Sequence, residues 1–149
     1  MKLKLERKPL ILISSLALVF VISISVYFFN NNLVVRVLFF PGISSFSGEM
    51  RRIPKQDRVE DDVELLIREL ILGPYHIDHL RAVPENTKLK NLLIRDKSLL
   101  YVDFSADLIV YDDDFNIAAE RMAMLIRQNI IYNFPFLDEI TLLVDGQTL

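Results

Sequence analysis

The sequence predicts an α+β fold, a two-layer sandwich in which two helices cover one face of a three- to four-stranded sheet, behind one N-terminal transmembrane helix. Three observations lead to this prediction. One long segment near the N-terminus has no charged residue, two later segments have the spacing of amphipathic helices, and short segments rich in β-branched and aromatic residues lie around them. The predicted order is β, a short candidate β, then α-β-β-α-β.

Residues 9–29 carry no charge, and as a helix these 21 residues would be about 31 Å long, which matches the hydrocarbon core of a bilayer. Four basic residues precede this segment together with one acidic residue, Glu6, and the next charge is Arg36. The positive-inside rule therefore places the N-terminus in the cytoplasm. The predicted organisation is 1–8 cytoplasmic, 9–29 a transmembrane helix or signal anchor in the cytoplasmic (inner) membrane, 30–32 a linker, and 33–149 an extracytoplasmic, periplasmic domain.

A cleaved signal peptide is the alternative, because Ser23 and Ser25 have the spacing of a small-x-small cleavage site. The apolar segment is longer than the usual core of a signal peptide and continues past both serines, which favours an uncleaved anchor. The chain has no cysteine, so neither a lipid-modified cysteine nor a disulfide can form.

The predicted extracytoplasmic part is acidic. Without the four N-terminal basic residues and Glu6, the chain has 13 Lys and Arg against 19 Asp and Glu, a net charge of −6. Phosphate backbones are repelled by a surface of this sign, so the sequence predicts no nucleic-acid partner.

The first strand is predicted in LVVRVLFFP, which is rich in β-branched and aromatic residues and ends at Pro41. The Gly- and Ser-rich segment GISSFSGE is predicted to be a loop. The next segment, MRRIP, is a candidate second strand that ends at Pro54.

The first amphipathic helix is predicted in DRVEDDVELLIRELILGP. Asp57 is the candidate N-cap, acidic residues fill the first turn, and Gly73 and Pro74 end the helix. Its apolar residues repeat at three- and four-residue spacing: Val59, Val63, Leu66, Ile67, Leu70 and Ile71.

Two strands, KLKNLLIRD and SLLYVDFS, are joined by the short turn DKS, which predicts an antiparallel hairpin. The second strand alternates, so its side chains are expected on two faces. Leu100, Val102 and Phe104 belong to one face, and Leu99, Tyr101 and Asp103 to the other.

The second amphipathic helix is predicted to begin near Asp113 or Asp114 and to end before Pro135. Its apolar stripe contains Phe115, Ala118, Ala119, Met122, Leu125 and Ile126. A last strand follows in EITLLVDG, with Ile140, Leu142 and Val144 on one face, and the crossover that leads into it is expected to be right-handed.

Both histidines lie in LGPYHIDHLRAVP, between the helix end at Gly73 and Pro84. His76, Asp78 and His79 are the best candidates for a metal or acid–base site, with Glu85 as a further candidate ligand. Zinc requires three or four converging ligands, and no second His or Cys cluster exists in the sequence. The pattern therefore favours structural histidines on a connector.

Other candidate sites are weaker. The acidic run Tyr111–Asp114 lacks the glycine and the terminal glutamate of a calcium loop, and a solvated turn explains it better. Asp103 is predicted to face solvent. The sequence contains neither a Gly-x-Ser-x-Gly elbow nor a Gly-rich phosphate loop. It therefore predicts no catalytic residue, no cofactor and no bound metal, and it gives no reason to expect a small-molecule ligand.

Several segments in order resemble the GerMN domain, an extracytoplasmic module named from a spore-germination and sporulation protein. They are VRVLFFPG, RRIP, ELILGP, AVPENTKLKNLLIRDKSLLYVDFSADL and NFPFLDEITLLVDGQTL, within Leu33–Leu149. The resemblance implies an α+β fold similar to ring-building motifs and a non-enzymatic role in envelope or sporulation complexes. It implies no catalytic residue. Familiar members often use a lipidated cysteine, which a membrane helix replaces here.

Two functions follow as hypotheses. The first is a membrane-anchored module that binds another envelope protein or assembles with itself, through a sheet edge, exposed loops or a helix face. The alternative is a periplasmic domain that binds a cell-wall fragment or a metal, or acts catalytically, through His76, Asp78 and His79.

Overall fold

The computed structural model of the protein describes residues 7–29, 32–42, 46–110, 115 and 117–149. The chain divides into two compact units, Met1–Leu33 and Val34–Leu149.

The first unit contains helix α1, Arg7–Phe29, which confirms the predicted N-terminal apolar helix. The window Ile11–Phe28 has a mean hydropathy of 2.5 and is long and apolar enough to cross a membrane, a test that a signal sequence also meets. Its four serine hydroxyls donate to carbonyls three or four residues earlier. The four serine hydroxyls of the window are therefore satisfied within the helix, as hydrocarbon surroundings would require.

The second unit is α+β, as predicted, and contains two sheets. Strands β1 (Leu33–Pro41) and β2 (Phe46–Pro54) form a two-stranded sheet; helix α2 is Val59–Leu72; strands β3 (Leu89–Arg95) and β4 (Leu99–Phe104) precede helix α3 (Ala119–Asn133); and strands β5 (Glu139–Val144) and β6 (Gln147–Thr148) complete the chain. The order of the four-stranded sheet is β3-β4-β5-β6.

The candidate second strand is confirmed and is longer than MRRIP. It begins at Phe46, so the predicted loop GISSFSGE is wrong from that residue onward, and residues 43–45 lie outside the described part. The four-stranded sheet differs from the expected one because β1 pairs with β2 alone. Its fourth strand is β6, which follows an Asp145-Gly146 turn in the left-handed region (φ 49° and 79°).

The predicted hairpin is confirmed, since β3 and β4 pair antiparallel. Strand β5 pairs parallel with β4 after the α3 crossover. The predicted alternation also holds: the buried face of the sheet contains Leu100, Val102, Phe104, Ile140, Leu142 and Val144. These side chains share one core with the buried faces of α2 and α3, so both helices cover this face of the sheet. Full burial of each apolar side chain of this size stabilises the folded state by about 1.5–3 kcal/mol.

Both predicted helix starts need correction. The N-cap of α2 is Arg58 instead of Asp57, and no side chain caps it. Asp62 in the first turn reaches back instead and accepts the Gln56 N–H at 3.1 Å. Helix α3 begins at Ala119, because the backbone of Ala118 is extended (φ −61°, ψ 146°). The predicted start at Asp113 or Asp114 falls on residues outside the described part.

Candidate interaction surface and histidine connector

Helix α3 lies along the edge of β1, where two asparagines take the place of a neighbouring strand. Asn129 Oδ1 accepts the Phe39 N–H at 2.7 Å, and its Nδ2 donates to the Phe39 carbonyl at 3.1 Å. Asn133 does the same to Val37, at 3.0 Å and 2.7 Å. One edge of a strand exposes the N–H and C=O of alternate residues. Four helical residues rise about 6 Å and two strand residues about 6.6 Å, so the amides match this spacing.

This pairing closes that edge of β1. A partner cannot add a strand there, because the main-chain groups of Val37 and Phe39 already have hydrogen bonds. Neither asparagine is among the candidates predicted from the sequence. The signal for them was two amide side chains four residues apart, with Asn129 on the buried stripe of α3.

Arg36 joins β1 to both helices on the inner side. Its Nη2 lies 2.6 Å from the Asp62 carboxylate, and its Nη1 donates to the Asn133 carbonyl at 2.9 Å. Its guanidinium also lies over the Phe134 ring, 4.3 Å from the centroid. These contacts hold the β1–β2 sheet against the helices and leave its other face outward.

The outward face of β1 is apolar, with an exposed Val35 and a half-buried Val37 and Phe39. Opposite them on β2 is Gly48, where an added Cβ would lie 3.1 Å from Val37 Cγ1. Because Gly48 has no side chain, Val37 and Phe39 remain uncovered on that side. The next outward residue of β2, Met50, is 79% exposed.

Helix α3 extends this surface. The Tyr132 ring meets the Phe39 ring edge-on, with centroids 4.9 Å apart. Tyr132 also lines a shallow apolar concavity of about 400 Å³ with exposed Met124 and Ile131. We call the whole set the apolar face; it comprises Val35, Val37, Phe39, Met50, Met124, Ile131 and Tyr132.

The charge around the apolar face is positive. Among the described residues of β1, β2 and α3, the exposed charged side chains are Arg52, Arg121 and Glu120, and Arg127 is half-buried and donates its Nε to the Ile140 carbonyl at 3.3 Å. This group has three basic side chains and one acidic side chain, whereas Val34–Leu149 as a whole has a net charge of −6. The apolar face is therefore locally basic on an acidic domain.

A buried ionic cluster lies at the C-terminal end of α2. Glu49, 5% exposed, is 3.0 Å from Arg51 and accepts the N–H groups of Tyr75 and His76 at 3.1 Å. Arg51 in turn donates to the Glu69 carboxylate at 3.0 Å, and its guanidinium stacks on the Tyr75 ring at 3.8 Å from the centroid. The cluster therefore attaches the connector to β2 through paired charges.

Burial of the Glu49 carboxyl alone raises its pKa. The N–H groups of Tyr75 and His76, together with Arg51 and His79, stabilise the charged form more strongly, and the net pKa is lowered from 4.5 to about 2. Glu49 therefore stays ionised at any ordinary pH, as the buried Arg51 requires.

Arginines also cap the end of α2, whose last turn has no basic residue of its own. Arg51 donates to the carbonyls of Glu69 and Gly73, and Arg81 donates to the Ile71 carbonyl at 2.7 Å. Positive charge at this position complements the helix dipole. The predicted helix end at Gly73 is confirmed, and its φ of 95° and ψ of 179° suit glycine.

The structure brings the two histidine rings of the motif together, edge to face, with centroids 5.5 Å apart. His79 Nδ1 lies 2.8 Å from Glu49 Oε1, whereas His76 and Asp78 are exposed, as is Glu85. His79 also forms a bridge with Gly42, which fixes the connector to the end of β1. In the described ranges, no three His, Asp or Glu side chains are placed to hold a metal. This arrangement favours the structural interpretation of His79.

The remaining candidates have other surroundings. Asp103 is half-buried and accepts the Gly146 N–H at 3.0 Å, so it supports the β5–β6 turn and does not simply face solvent. The acidic run Tyr111–Asp114 falls on residues that the structure does not describe. The absence of catalytic and metal-binding residues stays a prediction.

Comparison with protein families gives a match over residues 25–149 to Germane, described as "Sporulation and spore germination". This chain belongs to the Germane family. The predicted resemblance to GerMN domains is thereby confirmed, and the solved structures agree with it. No curated protein matches the chain.

Two solved structures of the sporulation protein GerM from Bacillus subtilis are similar in fold, each with a TM-score of 0.57 and 17% identity over 78% of this chain. One contains the tandem GerMN domains, of which the match covers 41%, so this chain spans about two fifths of that structure. The other contains the first GerMN domain, covered to 86%. A putative lipoprotein from Clostridium perfringens is 26% identical, over 78% of this chain and 77% of that one, with a TM-score of 0.47.

Proposed function

We propose that this Germane-family chain is a non-enzymatic, membrane-anchored module of the cell envelope that binds another envelope protein through the apolar face. The observation that carries the proposal is an uncovered apolar face with basic surroundings on an acidic domain. Contiguous apolar surface with a polar rim is typical of protein interaction sites.

The partner is a protein surface with an apolar centre and an acidic rim. Tyr132, Phe39 and Met50 offer the aromatic and methionine side chains that are enriched in interface centres. Arg52, Arg121 and Arg127 favour acidic groups around that centre. Because asparagines occupy the outer edge of β1, the partner docks on the face of the sheet and does not add a strand to β1.

The anchor would keep the domain near the membrane. The predicted linker, residues 30–32, reaches at most about 10 Å, since an extended residue spans about 3.5 Å. With the basic N-terminus in the cytoplasm, the domain would lie outside the inner membrane, at its surface. The family description supports a place in sporulation or germination complexes.

Site-specific photo-crosslinking of the full chain in its native cells tests the proposal. A photoreactive residue at Met50 or Met124 is expected to capture the same envelope protein, and one at exposed Leu93, on β3, is expected to capture none. Arg52→Glu should lower the yield about fivefold or more, because it reverses a rim charge. The matched control Arg95→Glu, an exposed arginine of β3, should leave the yield unchanged.

Three outcomes would overturn the proposal. Equal capture from Leu93 would show that contact is unspecific. Adducts that contain only second copies of this chain would replace the envelope partner by self-assembly. An unchanged crosslinking yield in Arg52→Glu would show that the basic rim takes no part in recognition of the partner.

A further inference from the structure

A pocket of about 490 Å³ lies between the last turn of α2 and the start of β3, on residues separate from the apolar face. Its volume falls within the range of ligand pockets. Arg68, Arg81 and Lys88 line it, with Glu85 as the one acidic side chain among its described lining residues. Like the apolar face, the pocket is basic on a domain of net charge −6.

The basic side chains are only partly neutralised. Arg68 uses its Nε and Nη2 on the Glu64 carboxylate, at 2.9 Å and 2.7 Å. Arg81 uses its Nη2 on the Ile71 carbonyl. Lys88 is exposed and has no ion pair to any residue that the structure describes. Positive charge therefore remains at the mouth of the pocket.

Two polar atoms of the pocket residues have no hydrogen-bond partner within the described chain. They are Thr87 Oγ1, on a side chain that is 3% exposed, and Arg81 Nε. A buried polar atom without a partner is costly, and natural proteins leave few of them. Both atoms can donate a hydrogen bond, and because each has almost no exposed surface, its side chain has to turn towards the pocket to meet acceptor oxygens of a ligand.

The rest of the wall is apolar. Ile71 and Leu89 pack against the core, and Leu72 is largely exposed at the rim. A ligand that fits places an anionic group beside Lys88 and an apolar group beside these side chains. The carbonyl end of α2 and Glu85 add negative character, which disfavours a doubly charged phosphate and favours a single carboxylate.

We propose that this pocket binds the C-terminal carboxylate of a peptide whose last side chain is apolar. Lys88 and Arg81 hold the carboxylate, Thr87 donates its hydroxyl after a rotamer change, and the last side chain packs on Leu72 and Leu89. The proposal does not rest on the apolar face, and either can fail alone.

Calorimetric titration of the full chain in a mild detergent tests this site. The probes are N-acetyl-Ala-Leu with a free carboxylate, the same dipeptide as its C-terminal amide, and inorganic phosphate. We expect one molecule of the acid to bind per chain, and about tenfold weaker binding of both the amide and phosphate, because a charge-assisted hydrogen bond is lost or a second charge is repelled.

Lys88→Met should weaken binding of the acid about fivefold or more, since it removes a charge and leaves the stem. The control is Lys97→Met, an exposed lysine in the β3–β4 turn, which should leave binding unchanged. Absence of binding by the acid, equal binding of acid and amide, phosphate binding as tight as the acid, or equal effects of the two variants would each overturn the proposal. Both lysines are exposed, so neither substitution threatens the fold.

Discussion

Asn129 on α3 holds Phe39 on β1 by both ends of one amide, although 90 positions of sequence separate the two residues. Asn129 is 0% exposed, and its Nδ2 also donates to the Leu125 carbonyl at 2.9 Å. A buried amide with every contact satisfied fixes one alignment of helix and strand. The alignment turns the apolar face outward.

Replacement of Asn129 tests this role. Asn129→Ala leaves the Phe39 N–H and C=O without partners, and we expect the free energy of unfolding to fall by roughly 2–4 kcal/mol. Urea unfolding of the full chain in mild detergent, followed by near-ultraviolet circular dichroism, measures it. Gln128→Ala, an exposed neighbour on the same helix, should change it by less than about 0.5 kcal/mol. Equal losses of unfolding free energy in the two variants would contradict the pairing of Asn129 with Phe39.

The stability of the domain should depend on acid through Glu49. The unfolded chain binds this proton near pH 4.5 and the folded chain only near pH 2, so acid favours the unfolded state between these values. The shift corresponds to roughly 3 kcal/mol, present above pH 4.5 and lost as the pH falls towards 2. Across this pH range, the difference between the free energies of unfolding of the wild type and of Glu49→Gln should become smaller as the pH falls.

Glu64→Gln is the matched control for Glu49→Gln. Glu64 pairs with Arg68 on the exposed side of α2, and such pairs contribute about 0.5 kcal/mol or less. If the difference in unfolding free energy between the wild type and Glu49→Gln stays constant from pH 5 to pH 2, the Glu49 carboxylate is not the group that titrates.

Gly73 is expected to tolerate no side chain. Its φ of 95° with ψ of 179° is a region used almost only by glycine, and an added Cβ would lie 2.9 Å from Arg81 Nη1. Gly73→Ala should lower the free energy of unfolding by roughly 3 kcal/mol. Gly146→Ala has a positive φ of 79° but open space around the Cβ, so roughly 1 kcal/mol is expected. The same urea series compares them, and equal losses would exclude the contact with Arg81.

The two histidines should differ. His79→Ala removes a partner of buried Glu49 and is expected to lower the unfolding temperature, whereas His76→Ala, at an exposed site, should not. Zinc should leave the unfolding temperature of the wild type unchanged. A zinc-dependent rise that the double variant His76→Ala, His79→Ala loses would support the metal-binding alternative.

The N-terminal helix should remain on the protein. Intact-mass analysis of the chain from isolated membranes is expected to find the segment before Ser25 still attached, and alkaline carbonate should not extract the protein. A species that begins just after Ser23 or Ser25, recovered in the soluble fraction, would establish the cleaved signal peptide instead.

The sequence predicted the elements whose signals are local. The Gly73-Pro74 helix end, the hairpin around Lys97 and the alternation of β4 each follow from a turn or a period within a few residues. The start of α3 was wrong because an acidic run is typical of a first turn, whereas the half-buried Phe115 and Ile117 lie before the helix and pack against the core.

The long-range pairings could not be predicted from the sequence. Strand β1 has the composition of any sheet strand, and nothing local indicates that β2 and two asparagines are its neighbours. The histidine motif was found from spacing, but the carboxylate that holds His79 belongs to Glu49, 30 positions earlier. The apolar face was not predicted either, because it combines strand and helix residues that only the fold brings together.

The asparagine contacts also set an order of assembly. The chain is synthesised from its N-terminus, so β1 is complete about 90 residues before Asn129 exists, and the Val37–Phe39 edge has no partner in that interval. Contacts this distant in sequence form late, because the loop that they close is costly in entropy. An unpaired strand edge can join a foreign strand while it waits. Nascent β1 therefore needs protection from foreign strands at this edge, and α3 is the segment that ends that need.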